Sequence, residues 1–409
     1  MKNPRHSGNR RARRMLSFGP EILESRALLS TTTATETFTG PSLSDLIQQA
    51  RGGTNTAPAA ISRIEQALQT QLTSGPLADL KAGKVSSNGF VTEVQNLEAS
   101  YEQNLDSQLS PEFPNVNEIL KLQGQKVVAD VIALNQEASV GLISSATLAT
   151  DARVAINSLT TGPIDPLNPS LSAYTSATQT FETDLNTIAS SLNSSPSSAS
   201  ASASASASLT PGQASATALA ETQAFLANMH AGLQVGHPNV SSQVDAAVTT
   251  LQSAESGLAQ DTAASAQSAL KSAVSTFDTA MLGSGGVFDP AGPVARAIAR
   301  GAFAPSTTQP QSNAALGSLS GTATQGKATL SATLTGSGGG SALAGQTVSF
   351  TLDGAFAGIA TTDSQGVATL TGVPTSNSVG TDTGGVVAHF AGNSAYRSAS
   401  ATGDLTVTS

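Results

Sequence analysis

Gln346-Thr347-Val348-Ser349-Phe350-Thr351-Leu352-Asp353-Gly354 and Val386-Val387-Ala388-His389-Phe390-Ala391-Gly392-Asn393 alternate apolar and polar side chains with a period of two. That period puts Val348, Phe350 and Leu352 on one face and Ser349 and Thr351 on the other, the pattern of a strand half-buried in an antiparallel sheet. Neighbouring runs read the same way: Ala328, Leu330, Ala332 and Leu334; Val367 to Leu370 after the turn Asp363-Ser364-Gln365-Gly366; and Leu405-Thr406-Val407. Turn residues recur at the spacing of an all-β sandwich. Residues 314–409 are therefore expected to form a β-sandwich cored by Leu330, Leu334, Val348, Phe350, Leu352, Leu370, Phe390, Leu405 and Val407. Such a module presents surface or separates other parts and seldom performs chemistry.

Moving toward the N-terminus, residues 284–313 carry Pro290, Pro293, Pro305 and Pro310 and read as a Pro/Gly linker with a short helix at 294–300. Before it the apolar period changes to about 3.6. Ile61, Ile64, Leu68 and Leu72 mark one stripe, and Phe90, Val94, Leu97, Tyr101, Leu105 and Leu109 a second. A longer segment, 115–159, carries Ile119, Val127, Val131, Leu134, Leu142, Leu148 and Ile156. Tyr174, Phe181, Leu185, Ile188 and Leu192 follow, then Leu219, Phe225, Met229 and Leu233. Val240 to Met281 reads as one continuous helix, a rod of roughly 65 Å at 1.5 Å per residue. The Ser/Ala tract 194–210 has little side chain to bury and reads as a flexible linker. The organisation expected is thus a basic arm (1–41), a helical region (42–193), the tract (194–210), a second helical region (211–283), the linker (284–313) and the β module (314–409). The fold class is multidomain α plus β, an Ala/Ser-rich antiparallel helical bundle followed by the sandwich. Spacing alone leaves open whether the helices form one bundle or two.

Charged residues are 11% of the 409, against ~25% in typical soluble domains. Ser, Thr and Ala replace them, a composition that suits an extracellular location. Net charge is −9, but seven of the 19 basic residues lie within residues 1–26, beside only two acids. The acidic remainder speaks against nucleic-acid binding, which needs a basic stripe to displace counterions. With no cysteine, disulfides, thiolate metal sites and cysteine nucleophiles are excluded. No stretch reaches the length of a membrane span.

Residues that carry chemistry elsewhere are sparse. His6 lies in the basic arm, His230 and His237 lack acids at metal-ligand spacing, and alternation points His389 outward into solvent. No H-E-x-x-H, G-x-S-x-G, phosphate-loop or dinucleotide fingerprint occurs. Asp353-Gly354 and Asp363-x-x-Gly366 read as hairpin chemistry, with Asp382, Asn393 and Asp404 too scattered to gather six to eight oxygens around calcium. Glu98 and Glu102 read as a solvated helix face. No catalytic, cofactor-binding or metal-binding residue is assigned, and no cofactor.

Two segments resemble known families. Phe18-Gly19-Pro20 followed by Leu23, Glu24, Arg26, Leu28, Leu29 and Ser30, behind an arginine cluster, resembles the LEPR-XLL segment of planctomycetal extracellular proteins; Ser25 replaces its proline. The resemblance implies sorting to the envelope or exterior. Gln346 to Gly354, Gly358 to Thr362, Gly366 to Leu370, Val387 to Ser398 and Leu405 to Val407 together resemble a bacterial Ig-like domain. That resemblance implies a seven-stranded sandwich without disulfide, acting as a spacer or adhesive surface. Residues 375–385 make a longer glycine-rich loop than those strands require.

The function expected is an exported, non-enzymatic surface or extracellular protein with a structural or adhesive role. The alternative is a binding module whose helical region captures a cell-surface protein or a glycan while the Ig-like domain acts as spacer. An enzyme would need polar residues clustered in the helical core, where the stripes are apolar.

Overall fold

A computed structural model describes residues 57–108, 114–161, 164, 170–192, 208–235, 237–300, 312–324, 326–336, 340–393 and 395–408. The basic arm 1–41 with its LEPR-XLL-like segment, and most of the Ser/Ala tract, lie outside the described residues. The helices are α1 Ala57–Ser74, α2 Pro76–Lys81, α3 Ser87–Gln108, α4 Pro114–Ser139, α5 Ser145–Thr161, α6 Leu171–Ser191, α7 Pro211–Leu233, α8 Pro238–Gly257, α9 Ala263–Leu282 and α10 Pro293–Ala299. Their starts are chemically specified. Ser170 accepts from the Ala173 amide at 3.2 Å, and Thr210 with Gln213 forms a reciprocal capping box ahead of Pro211.

Leu109 lies outside the described residues; the rest of the predicted stripes are buried, Leu134, Leu142 and Val240 partly so, and they sort into two cores. Ile61, Leu68, Phe90, Leu97, Tyr101, Leu105, Val131 and Ile156 fill the first, between α1 and α5. Tyr174, Phe181, Leu185, Phe225, Met229, Val248, Leu270 and Phe277 fill the second, between α6 and α10. The second is organised by an aromatic triad: Phe181 stacks on Phe225 with centroids 4.4 Å apart, and Phe277 meets both edge-on at 5.4 and 5.5 Å. The cores divide between α5 and α6, so α6 packs with the helices that follow the Ser/Ala tract. The Leu209 amide bonds the Ser191 carbonyl at 3.1 Å, which brings the two ends of that tract together. Helices α4 and α7 pack on each other and join the cores.

Two long helices expected from periodicity are each broken. The 115–159 segment stops at Gly141, whose φ of +78° lets Leu142 N–H return to the Glu137 carbonyl at 3.0 Å in a Schellman-type end. The 65 Å rod is a hairpin of two helices. A 3₁₀ turn, Leu258–Gln260, ends α8, and Thr262 caps α9 by accepting from Ser265 N–H at 3.3 Å. Asp261-Thr262 is the start signal that the apolar period concealed.

Seven strands follow: β1 Ala314–Thr324, β2 Lys327–Gly336, β3 Thr347–Leu352, β4 Ala355–Thr361, β5 Val367–Pro374, β6 Gly380–Phe390 and β7 Ala399–Thr408. They form one mixed sheet in the order β4-β3-β6-β7-β1-β2-β5, with β1 and β7 parallel and the other neighbours antiparallel. The sheet rolls until its edges nearly meet: a Cβ on Gly358 of β4 would lie 3.1 Å from Leu370 of β5. Of the predicted core, Leu330, Val348, Phe350, Leu352, Leu405 and Val407 line the interior, and Leu370 packs against it half-buried. Leu334 and Phe390 belong to a smaller cluster with Leu343 and Ala399. Residues 380–385 are strand rather than loop: β6 starts at Gly380, and its extra residues are taken up by a bulge against β7 between Asp382 and Val386.

The sheet is not held apart from the helices. Phe356 of β4 is buried among Ala133 of α4 and Leu219, Ala220 and Ala224 of α7. Gln95 donates to Thr351 Oγ1 at 3.1 Å, Arg397 pairs with Glu118 at 3.5 Å, and Gln234 donates to the Asn393 and Tyr396 carbonyls at 3.2 and 3.1 Å. Gly354 (φ +74°) touches α3 so closely that any Cβ would fall on the Asn88 carbonyl.

Candidate functional site: a cleft between helices and sheet

Alternation along β3 and β6 sends Val348, Phe350, Val386 and Ala388 inward and leaves Ser349, Thr351, Val387 and His389 on the outer face. On α3 the spacing of Gln95, Glu98, Glu102 and Asp106 makes one polar stripe. These two polar faces are turned toward each other. Between them lies a cavity of about 330 Å³, with α3, α4 and α7 on one side and β3, β4, β6 and β7 on the other. Gln103, Asp106 and Thr402, all exposed, stand at its mouth, whereas Gln95, Glu98, Glu102 and Gln125 are buried. Val128, Ile132, Phe356 and Val387 give it an apolar flank.

Glu98 and Glu102 are only 6% and 8% exposed, which corrects their reading as a solvated face. One turn of helix separates them, and their carboxyls are close enough to share a proton. Burial, then the charge and hydrogen bond of Glu102, push Glu98 well above the usual carboxylate range, with Lys121 opposing. Glu102 accepts a hydrogen bond from Gln125 Nε2. Lys121 is committed to Asp106 at 3.2 Å, and Asn117 donates to the same carboxylate at 2.8 Å. Two acceptor oxygens in the cavity lining, Glu98 Oε1 and Gln125 Oε1, have no hydrogen-bond partner among the described residues. Gln125 is only 4% exposed.

On the opposite wall His389 is the second correction. It does leave the sheet interior, but into the cleft, where its Nδ1 lies 3.0 Å from Ser400 Oγ. Burial, with a smaller contribution from the charge of His230, lowers it to about 4, so the ring is neutral near pH 7. His230 sits behind it, with Nε2 2.7 Å from Asp245 and Nδ1 3.1 Å from the Ala391 carbonyl. The remaining candidates are turn chemistry. Asp363 accepts from the Gln365 and Val367 amides at 2.8 and 2.9 Å, Asp404 from Gly384 at 2.9 Å, and Asn393 from Ala395 and Tyr396 at 2.8 and 2.9 Å. Asp353 and Asp382 hydrogen-bond to each other, and burial and that contact raise Asp353 to about 7. Among the described residues no three His, Asp or Glu side chains converge as metal ligands, and no helix is long and apolar enough to cross a membrane.

The cleft residues were missed because each lies on a face that periodicity assigns to solvent. The available signal was the spacing of Gln95, Glu98 and Glu102, uninterrupted by a basic residue. No protein-family model, curated protein or solved structure matches the chain.

Proposed function

We propose that this chain is an exported, non-enzymatic binding protein that holds its ligand in the cleft between α3, α4, α7 and the β-sheet. The observation that carries the reading is the pair of polar faces closing on a cavity in which two buried acceptor oxygens are left unpartnered. Leaving such atoms unmade costs roughly 1–3 kcal/mol each, a cost that a donor-bearing ligand removes. The shared interface makes the sheet a wall of the site, a role beyond that of spacer. An Ig-like identity for that sheet is supported by its strand order and by the parallel pairing of first and last strands. The LEPR-XLL-like arm and the Ser/Thr/Ala-rich body support export to the envelope or exterior.

A non-enzymatic role is favoured by His389. A ring held near 4 is a weak base, and it faces Ser400 without a carboxylate to orient it. The test is a thermal-shift screen of the full chain against amines, sugars and short peptides, repeated on Ala401→Phe to fill the cleft. Ligands that stabilise the native chain and not the variant support the reading; stabilisation equal in both overturns it. Fractionation of native cells checks export, and a wholly cytoplasmic protein contradicts it.

A second reading is carried by Glu98 and Glu102, since two carboxyls sharing a proton are also an acid–base arrangement. Hydrolysis of chromogenic glycosides or peptides, abolished by both Glu98→Gln and Glu102→Gln, would establish it.

A further inference from the structure

We infer that the cleft takes a primary ammonium group on a short apolar body, its charge seated between Glu98 and Glu102. The inference rests on reading the cleft as a ligand site and adds the chemical class of the ligand.

Four features converge. First, three buried polar atoms of the lining have no partner among the described residues: Gln223 Nε2 of α7 is a donor, whereas Glu98 Oε1 and Gln125 Oε1, beside the carboxyl pair, are acceptors, so the group missing at the pair is a donor. An ammonium brings three N–H donors and no acceptor. Second, the surroundings are anionic. Glu98, Glu102 and Asp106 of α3 and Glu118 of α4 face Lys121 of α4 and Arg397 of the β6–β7 connection. Lys121 bonds Asp106 while also facing Glu102, and Arg397 is held at Glu118, so the four carboxyls share two cations. Third, the rest of the lining is neutral or apolar: Val128, Ile132, Phe356 and Val387, the hydroxyls of Ser349, Thr351 and Ser400, and the uncharged ring of His389. A second charge on the ligand has no partner there. Fourth, a cavity of about 330 Å³ stands at the small end of ligand pockets, which suits a compact molecule such as a short alkylamine. A sugar would want an aromatic platform, and the aromatic side chain lining the cleft beside His389 is Phe356, already packed on α4 and α7.

The carboxyl pair also sets a proton balance. Without ligand, burial and the neighbouring Glu102 favour the protonated form of Glu98; an ammonium placed there favours its carboxylate, and the proton leaves to solvent. The other groups facing the pair are Tyr101 and Asp106 of α3, Lys121 and Glu118 of α4, and Glu65 of α1 through Tyr101. Lys121 is raised and stays charged: burial opposes its charge, but Glu102, Asp106 and Glu118 outweigh it. Glu118 is itself raised by burial and can titrate in the same range, so the Glu98→Gln variant is what assigns the released proton to the pair.

The test is calorimetry on the full chain with hexylamine, 1-hexanol, sodium hexanoate and glucose, at pH 5 to 7 and in two buffers of different ionisation enthalpy. Hexylamine should bind at least tenfold tighter than hexanol, and hexanoate should not bind. Hexylamine affinity should rise about tenfold per pH unit, with one proton released to buffer. Glu98→Gln should lose at least tenfold in hexylamine affinity and abolish the proton release without lowering the unfolding temperature. Glu102→Gln serves if that variant fails to fold, and the native pH profile stands independently of both. Hexanol or glucose binding as tightly as hexylamine, or hexylamine affinity flat with pH, overturns the ammonium assignment and leaves the binding reading intact. Silence from all four also overturns it, and the binding reading falls with it only if the wider screen is silent too.

Discussion

His230 and Asp245 meet at 2.7 Å, with the opposite ring nitrogen of His230 3.1 Å from the Ala391 carbonyl. Both nitrogens face oxygen acceptors, so both must carry hydrogen, and a ring 2% exposed is held as imidazolium. Burial works against that charge, but the charge and hydrogen bond of Asp245 and the Ala391 carbonyl outweigh it, and His230 lies above its ordinary value. The pair ties α7 to α8 and to the end of β6.

From this comes the first prediction. A histidine raised on folding contributes stability that is fully present below its unfolded value near 6.5 and is lost as pH rises through the folded one. Asp245→Asn should lower the His230 titration midpoint, read by NMR, and destabilise the protein more at pH 6 than at pH 8. An unmoved midpoint would refute the ion pair.

The carboxyls predict a broader effect of the same sign. Burial raises Asp130 and Asp184 to about 6, Glu137 and Glu182 to about 7 and Glu255 to about 8, while Glu221 lies well above its ordinary value among Glu137, Asp184, Asp130 and Glu255. Each binds its proton more tightly when folded, so each contributes stability below about pH 4 that is lost toward pH 8. His389, lowered to about 4, and the depressed Lys126 act in the opposite direction. Urea midpoints should therefore fall from pH 5 to pH 8, the reverse of ordinary acid denaturation. A midpoint that rises over that interval would mean these groups are solvated in the native protein.

Gly354 tests the junction. Its φ of +74° disfavours any side chain, and an added methyl would fall on the Asn88 carbonyl of α3. Gly354→Ala should cost about 1–3 kcal/mol and split helical and sheet signals into separate thermal transitions in circular dichroism. A single transition at the native temperature would show that the sheet does not lean on α3 there.

Apolar periodicity alone located the cores. Ile61, Leu68, Phe90, Leu97, Phe181, Phe350 and Leu405 are each buried where a period of 3.6 or 2.0 puts them. Helix ends were less legible, because Gly141 and Asp261-Thr262 interrupt the chain without interrupting the stripe. The cleft was not legible. Periodicity separates a buried face from the opposite face, and the opposite faces of α3 and β6 look solvated until a second layer covers them. Glu98 and His389 were correctly oriented and wrongly surrounded. Polar faces that meet across a tertiary interface carry no local signal, since the residues are 291 positions apart along the chain.

The sheet interior offers a last discrimination, between two phenylalanines that sequence treats as equals. Phe350 is wholly buried in the main cluster with Leu330, Val348, Val386 and Leu405, whereas Phe390 sits in the satellite with Leu334, Leu343 and Ala399 at the end of β6. Deleting a buried aromatic ring costs ~3–5 kcal/mol, and less where the surroundings collapse into the space. The rolled sheet around Phe350 is hydrogen-bonded through β4, β3 and β6 and cannot close inward. The satellite lies at the end of the sheet, bounded by Leu343 in the segment before β3 and by the first residue of β7, with fewer strands around it than Phe350 has. Phe350→Ala should therefore lie at the upper end of that range and Phe390→Ala at or below the lower. Both are measurable as changes in urea midpoint at constant slope. Equal losses would mean that the two clusters form one core, and that the C-terminal end of β6 is as rigid as its middle.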